Sequence, residues 1–163
     1  MCPLDASGRG PAERLLPDLL ARASHALAQG FAAELRKRGT SLPVWRVLAA
    51  LLARPGRTVS ALAEACLLQQ PTTTKLLDRM VRDGLVMRSH DARDRRVIRI
   101  TLTPEGEAKA AELAAAAERY GAEVLARHPQ AKGIEAVLRD IIARCGRAAH
   151  ARDGEGGQDE EGT

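Results

Sequence analysis

The chain has 163 residues, room for one domain with a sizeable core; only 2% are aromatic, so Leu, Ala, Val and Ile must build that core. Such a composition suits interdigitated helices better than an aromatic-rich β-sandwich, and no stretch nears the roughly 20 apolar residues of a membrane span. The net charge of +4 is uneven: from Arg36 to Pro104 fourteen Lys and Arg stand against five acids, a local +9 that leaves −5 elsewhere, the outline of a polyanion-binding surface.

Residues 1–11 mix Pro, Gly and Ser and predict a disordered N-terminus; no basic region precedes an apolar run there, so no secretory signal is expected. From Glu13 to Arg38, Leu16, Leu19, Leu20, Ala23, Leu27, Phe31 and Leu35 recur at helical spacing. Pro17 marks a first turn or a kink, and Gly39 ends the helix. A second helix is predicted from Pro43 to about Ala53, with Val44, Val47, Leu48 and Leu51 on its apolar side. The turn Arg54-Pro55-Gly56-Arg57 follows, then a short third helix through Cys66 capped by Thr58 or Ser60. Leu67 to Gln70 is a connection without glycine. A fourth helix starts near Pro71 and runs to Asp83, with Gly84 as its terminator.

Leu85 to Ser89 and Val97 to Leu102 read as two strands, the second alternating Val97, Arg99 and Thr101 against Ile98, Ile100 and Leu102. His90 to Arg96 forms a charged hairpin tip between them. Thr103 as N-cap and Pro104 in the first turn open a long Ala-rich helix to about Arg127. Pro129 breaks it. A last helix, about Gln130 to Ala149, carries Ile134, Val137, Leu138, Ile141, Ile142 and Cys145 on one side, and the Gly- and acid-rich segment 151–163 predicts a disordered tail. The expected fold is mainly α with a small β-wing.

Helix, short turn, helix and two-stranded wing in that order make a DNA-reading unit. The fourth helix buries Thr73, Leu76, Leu77 and Met80, which turns Gln70, Thr72, Lys75 and Arg79 away from the core, with Gln69 and Thr74 near its exposed start. Gln pairs with adenine, Thr reaches a base or a thymine methyl, and Lys bonds guanine acceptors. The helix N-terminus favours a phosphate. At the hairpin tip Arg93, Arg95 and Arg96 repel one another unless an external anion neutralises them. Arg96 suits a narrow minor groove, with Asp94 orienting its guanidinium, while Arg93 and Arg95 suit backbone phosphates.

These residues carry a specific likeness. The run Leu62-Ala63-Glu64, then Gln70-Pro71-Thr72-Thr73-Thr74-Lys75-Leu76-Leu77-Asp78-Arg79-Met80, Asp83-Gly84-Leu85-Val86, Asp91-Ala92-Arg93-Asp94-Arg95-Arg96 and Leu102-Thr103-Pro104-Glu105-Gly106 resembles the MarR family signature. Two departures stand out: Gln69 where the family often has a small cap such as Ser, and Leu67 where Gly is common. The resemblance implies a winged helix-turn-helix domain at 40–103, an N-terminal dimerisation helix at 12–39, and a linker helix with a C-terminal dimerisation helix at 104–150. It implies a cytoplasmic homodimeric regulator, a repressor of transcription, that binds a pseudo-palindromic double-stranded DNA operator. Apolar Leu16, Leu19, Leu20, Val137, Leu138, Ile141 and Ile142 are too many for a lone winged helix and point to a two-fold mate. Relatives release DNA when a small phenolic or lipophilic ligand enters near the dimer helices, which here makes Leu27, Phe31, Trp45 and Leu48 the candidate lining.

Two rivals share parts of this pattern. A thiol-oxidation sensor would use Cys2, Cys66 or Cys145, none of which lies on the first helix; the three form no CxxC pair, as fits a reducing cytoplasm. A helical protein-interaction module without DNA binding would leave the arginine-rich tip unexplained. His25, His90, His128 and His150 lack metal-ligand spacing, so no metal or other cofactor is expected. No GxSxG, phosphate loop or paired carboxylates with a nearby His recommends an enzyme.

Overall fold

The computed structural model describes residues 15–155. The expectations for 1–11 and for 156–163 lie outside them. The chain divides into two compact units, one ending at Tyr120 and the other starting at Gly121.

The first unit opens with α1, Leu16–Lys37, where Leu15 is the N-cap and Pro17 sits in the first turn, so Pro17 starts the helix and does not kink it. Of the predicted apolar stripe only Phe31 and Leu35 are buried, while Leu16, Leu19 and Leu27 stay exposed. At its end Gly39 takes φ +65°. The amides of Gly39 and Thr40 bond back to the carbonyls of Arg36 and Leu35, each at 3.0 Å. That double closure satisfies carbonyls the helix would otherwise orphan.

Helix α2, Leu42–Ala53, has Pro43 in its first turn and buries Val47, Leu48 and Leu51. Helix α3, Val59–Cys66, is capped by Thr58, whose Oγ1 accepts from the Ala61 amide at 3.3 Å. Ser60, the other candidate cap, lies within the helix and only meets Thr58 Oγ1 at 3.1 Å. Helix α4, Gln70–Arg82, follows the α3 turn and ends at Gly84 with a closure like that of α1: Gly84 N to Val81 O at 3.1 Å and Leu85 N to Met80 O at 2.9 Å.

Strands β1, Val86–His90, and β2, Ile98–Leu102, pair antiparallel with Val86 opposite Leu102 and His90 opposite Ile98. Each is one residue displaced at its start from the predicted span. The sequence pattern did not disclose a third partner: Arg57 bridges Ile100, its carbonyl accepting from Ile100 N at 2.9 Å while Gly56 N donates to Ile100 O at 3.1 Å. Helix α5, Pro104–Ala126, is capped as expected by Thr103, whose Oγ1 accepts from Gly106 N at 3.0 Å. The same hydroxyl donates to Gly84 O at 2.5 Å, so one side chain joins the end of α4 to the start of α5.

The core gathers Leu35, Leu48, Leu51, Leu62, Leu77, Met80, Val86, Ile100 and Leu113, all essentially inaccessible. All three aromatic side chains of the protein join its edge. Phe31 meets Trp45 edge-on at 6.0 Å and Tyr120 at 5.5 Å, and the Tyr120 hydroxyl donates to Leu27 O at 3.2 Å.

In the second unit a short 3-10 turn, Pro129–Ala131, takes residues the pattern assigned to the last helix. Gly133, at φ +85°, then precedes α6, Ile134–Glu155. Helix-favouring Ala148, Ala149 and Ala151 carry α6 beyond the predicted end at Ala149 and into the expected tail. Val137 and Ile142 are exposed there, and Leu138 and Ile141 half-buried. Among the described residues no helix is long and apolar enough to cross a membrane.

Two substitutions test this packing. A Cβ on Gly106 would lie 1.9 Å from the Leu85 carbonyl oxygen, which is backbone and cannot step aside cheaply. Gly106→Ala is expected to cost about 2 kcal/mol or more in urea unfolding, in the range of core overpacking. Leu67, 83% exposed, adopts the left-handed conformation at φ 56°. Leu67→Gly should stabilise by roughly 0.5–1 kcal/mol, since relief of left-handed strain outweighs the added chain entropy.

Candidate nucleic-acid interface

The predicted interface begins with how α4 is held. Thr73, Leu77 and Met80 are fully buried and Leu76 half-buried, the stripe expected from spacing. Thr73 is polar yet costs little there, because its hydroxyl donates to Gln69 O at 3.1 Å. The connection from α3 closes through Leu67 N to Glu64 O at 3.1 Å and Leu68 N to Ala63 O at 2.9 Å. It is the same closure that Gly39 and Gly84 make, built here on a leucine.

With one face seated, Gln69, Gln70, Thr72, Thr74, Lys75 and Arg79 are all exposed. Gln69 stands at the cap position without a side-chain cap bond, and Pro71 removes one donor. The Gln70 and Thr72 amides therefore lack acceptors inside the helix and suit an anion. Thr74 Oγ1 donates to Gln70 O at 3.1 Å, so its proton is committed and its methyl and lone pairs are what it offers. Arg79 reaches Asp83 at 3.5 Å, an exposed pair worth little. Helix α4 also packs against β1, where Arg88 donates to Asp78 at 2.7 Å.

The tip between the strands, residues 91–97, is ordered by acids. Asp94 accepts from the backbone amide of Arg96 at 2.9 Å. It thus holds the chain of Arg96 and not, as the pattern predicted, the guanidinium. Asp91 Oδ1 accepts from the amides of Arg93 at 2.8 Å and Asp94 at 3.2 Å, and Asp91 Oδ2 pairs with Arg99 Nε. These bonds, Arg99 foremost, hold the Asp91 carboxyl below the ordinary carboxylate range. His90 Nδ1 lies 2.7 Å from Arg95 O. Arg93, Arg95 and Arg96 are exposed, and among the described residues their guanidiniums pair with no acid.

Sequence reasoning missed Asp91 and Arg99 as organisers of this tip. The amide bonds of Asp91 follow a local pattern, Asp to the amides two and three residues on, that the tip sequence carries. The link to Arg99 joins opposite strands, and periodicity gives no sign of it.

The candidate ligand-lining residues separate. Leu48 and Phe31 are buried in the core, Trp45 is half-buried at its edge, and Leu27 is exposed. A neighbouring open groove of about 350 Å³ between α1 and α2 is lined instead by Ser24, His25, Gln29, Leu42 and Arg46, among others. Arg46 also donates weakly to Cys66 O at 3.4 Å. Cys66 itself is 1% exposed, and burial pushes its thiol pKa up despite nearby Arg46 and Arg57. Cys145 is exposed on α6, and Cys2 lies outside the described residues.

Comparison with known proteins gives a consistent picture. The MarR family model matches residues 38–97. The transcriptional repressor MdtR of Bacillus subtilis is 30% identical over 115 residues, covering 71% of this chain and 73% of that one. The homoprotocatechuate degradative operon repressor of Escherichia coli is 33% identical over 89 residues, 55% of this chain and 60% of its own length. Among solved structures, a MarR family transcriptional regulator of Silicibacter pomeroyi superposes with a TM-score of 0.74 at 32% identity, over 84% of this chain and 99% of that one. A Mycobacterium tuberculosis MarR family protein in complex with salicylic acid gives a TM-score of 0.67 at 28% identity, over 78% and 96% of the two chains. The helix-turn-helix, the wing and these similarities make the chain a member of the MarR family of DNA-binding transcriptional regulators.

Proposed function

We propose that the protein is a homodimeric, ligand-responsive repressor that sets α4 in the major groove and the wing in the adjacent minor groove of a pseudo-palindromic operator. One observation carries the reading: α4 leaves Gln69, Gln70, Thr72, Thr74, Lys75 and Arg79 exposed, while the wing tip presents Arg93, Arg95 and Arg96, whose guanidiniums meet no acid among the described residues. Gln70 and Lys75 read base edges, Arg96 enters the minor groove, and Arg93 and Arg95 bind phosphates. Asp94 supports this by holding the Arg96 backbone.

Dimerisation rests on apolar surface that one chain leaves bare. Leu16 and Leu19 of α1 are 61% and 47% exposed, and Val137 and Ile142 of α6 57% and 72%. Segments 12–39 and 104–150 are assigned to the dimer and 40–103 to DNA. A two-fold partner matches half-sites one helical turn apart, about 34 Å. The protein acts where chromosomal DNA is, in the cytoplasm.

The signal we assign is a small aromatic or lipophilic acid, in keeping with the salicylate complex of the mycobacterial relative. The groove offers the Arg46 guanidinium as a cationic partner and His25 as a hydrogen-bonding one for a carboxylate, next to apolar Leu42 and Ala28. The burial of Cys66, which pushes its thiol pKa up, argues against peroxide as the signal at that residue.

In a gel-shift salt series on a duplex selected by the wild type, Arg93→Ala and Arg95→Ala should each lower the slope of log affinity against log salt by about one unit. Arg96→Ala should weaken binding most at A·T-rich flanks, and Gln70→Ala should relax base preference; unchanged affinity in both would remove the site assignment. Sedimentation at micromolar concentration should give a dimer, and a stable folded monomer would defeat that part. Mild peroxide on the native protein should leave Cys66 unmodified by mass, whereas the unfolded chain should react.

A further inference from the structure

The wing tip carries the cations that the proposed function sends to DNA, yet the residues that hold the tip in shape carry no such role. Asp91 is the hub. Its side chain, only 15% exposed, takes the Arg93 and Asp94 amides on one oxygen and Arg99 Nε on the other. Its backbone amide donates across the tip to Val97 O at 2.9 Å, and Val97 N donates to Asp94 O at 3.0 Å. Arg99 extends the connection out of the wing. While its Nε pairs with Asp91, its other nitrogen, Nη1, donates to Gly56 O at 2.7 Å. Gly56 belongs to the turn between α2 and α3, and it is joined to β2 a second time through Gly56 N to Ile100 O.

We infer that Asp91 and Arg99 form a clasp that ties the wing tip to the α2–α3 turn and so positions Arg93, Arg95 and Arg96 before DNA arrives. The inference rests on the DNA-binding reading above. One planar guanidinium spans a carboxylate and a backbone carbonyl, a two-sided grip that a point-charge ammonium does not reproduce. Arg99 is therefore a framework residue inside the basic block and not one of its phosphate ligands. Without the clasp the tip must be ordered at the moment of binding, which lowers affinity without removing a contact.

Charge makes the test sharp. Asp91→Asn adds one unit of positive charge near the DNA and keeps a side-chain oxygen for the Arg93 and Asp94 amides. If the tip acts only through its charge, that variant binds DNA more tightly. The clasp requires the reverse, a loss of about tenfold or more, since fixing the backbone of even one residue on binding costs about that factor. Arg99→Lys keeps the charge and should lose a similar factor, with the salt slope unchanged because the phosphate contacts remain.

The measurement uses the full-length protein and two duplexes: one selected by the wild type from a random-sequence pool, and the unselected pool. Limited trypsin digestion without DNA reads the tip directly, since it cleaves after Arg93, Arg95 and Arg96; both variants should be cut there several times faster than wild type while their circular dichroism matches it. Equal or tighter binding by folded Asp91→Asn, or unchanged cleavage at the tip in both variants, overturns the clasp. Should Asp91→Asn fail to fold, Arg99→Lys decides by the same two readouts. A wild type that binds neither duplex overturns the DNA reading itself, and the trypsin result then still judges the clasp.

Discussion

Everything this protein offers to a duplex depends on the burial of one stripe of α4. Leu77 and Met80 are fully withdrawn from solvent, and burying side chains of that size is worth roughly 1.5–3 kcal/mol each. Turning the helix about its axis by one residue would bring Lys75 or Thr74 towards the core and expose Thr73 or Met80. The rotation of α4 is thus fixed by packing, and the identity of its outward residues follows. Its axial position is fixed too, by the left-handed closure at Leu67 before it and that at Gly84 after it. Thr103 then bonds Gly84, so the wing leaves and returns at one anchored point.

The basic block proves to be two populations. Arg38 pairs with Glu34, whose carboxyl Lys37 and then Arg38 hold below the ordinary range, and lies 3.9 Å from Glu112. Arg88 pairs with Asp78, and Arg99 with Asp91. These guanidiniums join one element to another or stiffen a helix. Arg93, Arg95 and Arg96 have no such duty among the described residues, and they cluster at the farthest point of a hairpin. A summed charge of +9 hides that division; only the pairing separates structural cations from available ones.

Local chemistry was legible in the sequence to a high degree. Helical spacing exposed α1, α2 and α4, caps and composition exposed α3 and α5, Gly39 and Gly84 marked ends, Thr103 marked a start, and the buried stripe of α4 followed from its periodicity. What escaped was long-range or a choice between near-equals. Arg57 pairing with Ile100 unites segments 43 residues apart, and no local pattern encodes it. Thr58 and Ser60 were equally good caps by type, and the turn geometry chose Thr58. Asp94 was matched to the wrong donor on Arg96, because an acid two residues upstream reaches the backbone amide more readily than a long side chain. The apolar face of α1 was read in full, but a single chain covers only its C-terminal part, at Phe31 and Leu35.

The aromatic edge of the core has a practical side. Trp45 is the sole tryptophan and touches Phe31, which in turn stacks on Tyr120, where α1, α2 and α5 converge. Gly30 keeps that junction tight, for a Cβ there would fall 2.1 Å from the Tyr120 hydroxyl. A half-buried indole at such a meeting point is a native optical probe: its emission colour and quenching register any loosening between these helices, with no label attached and no second fluorophore of its kind to confuse the signal.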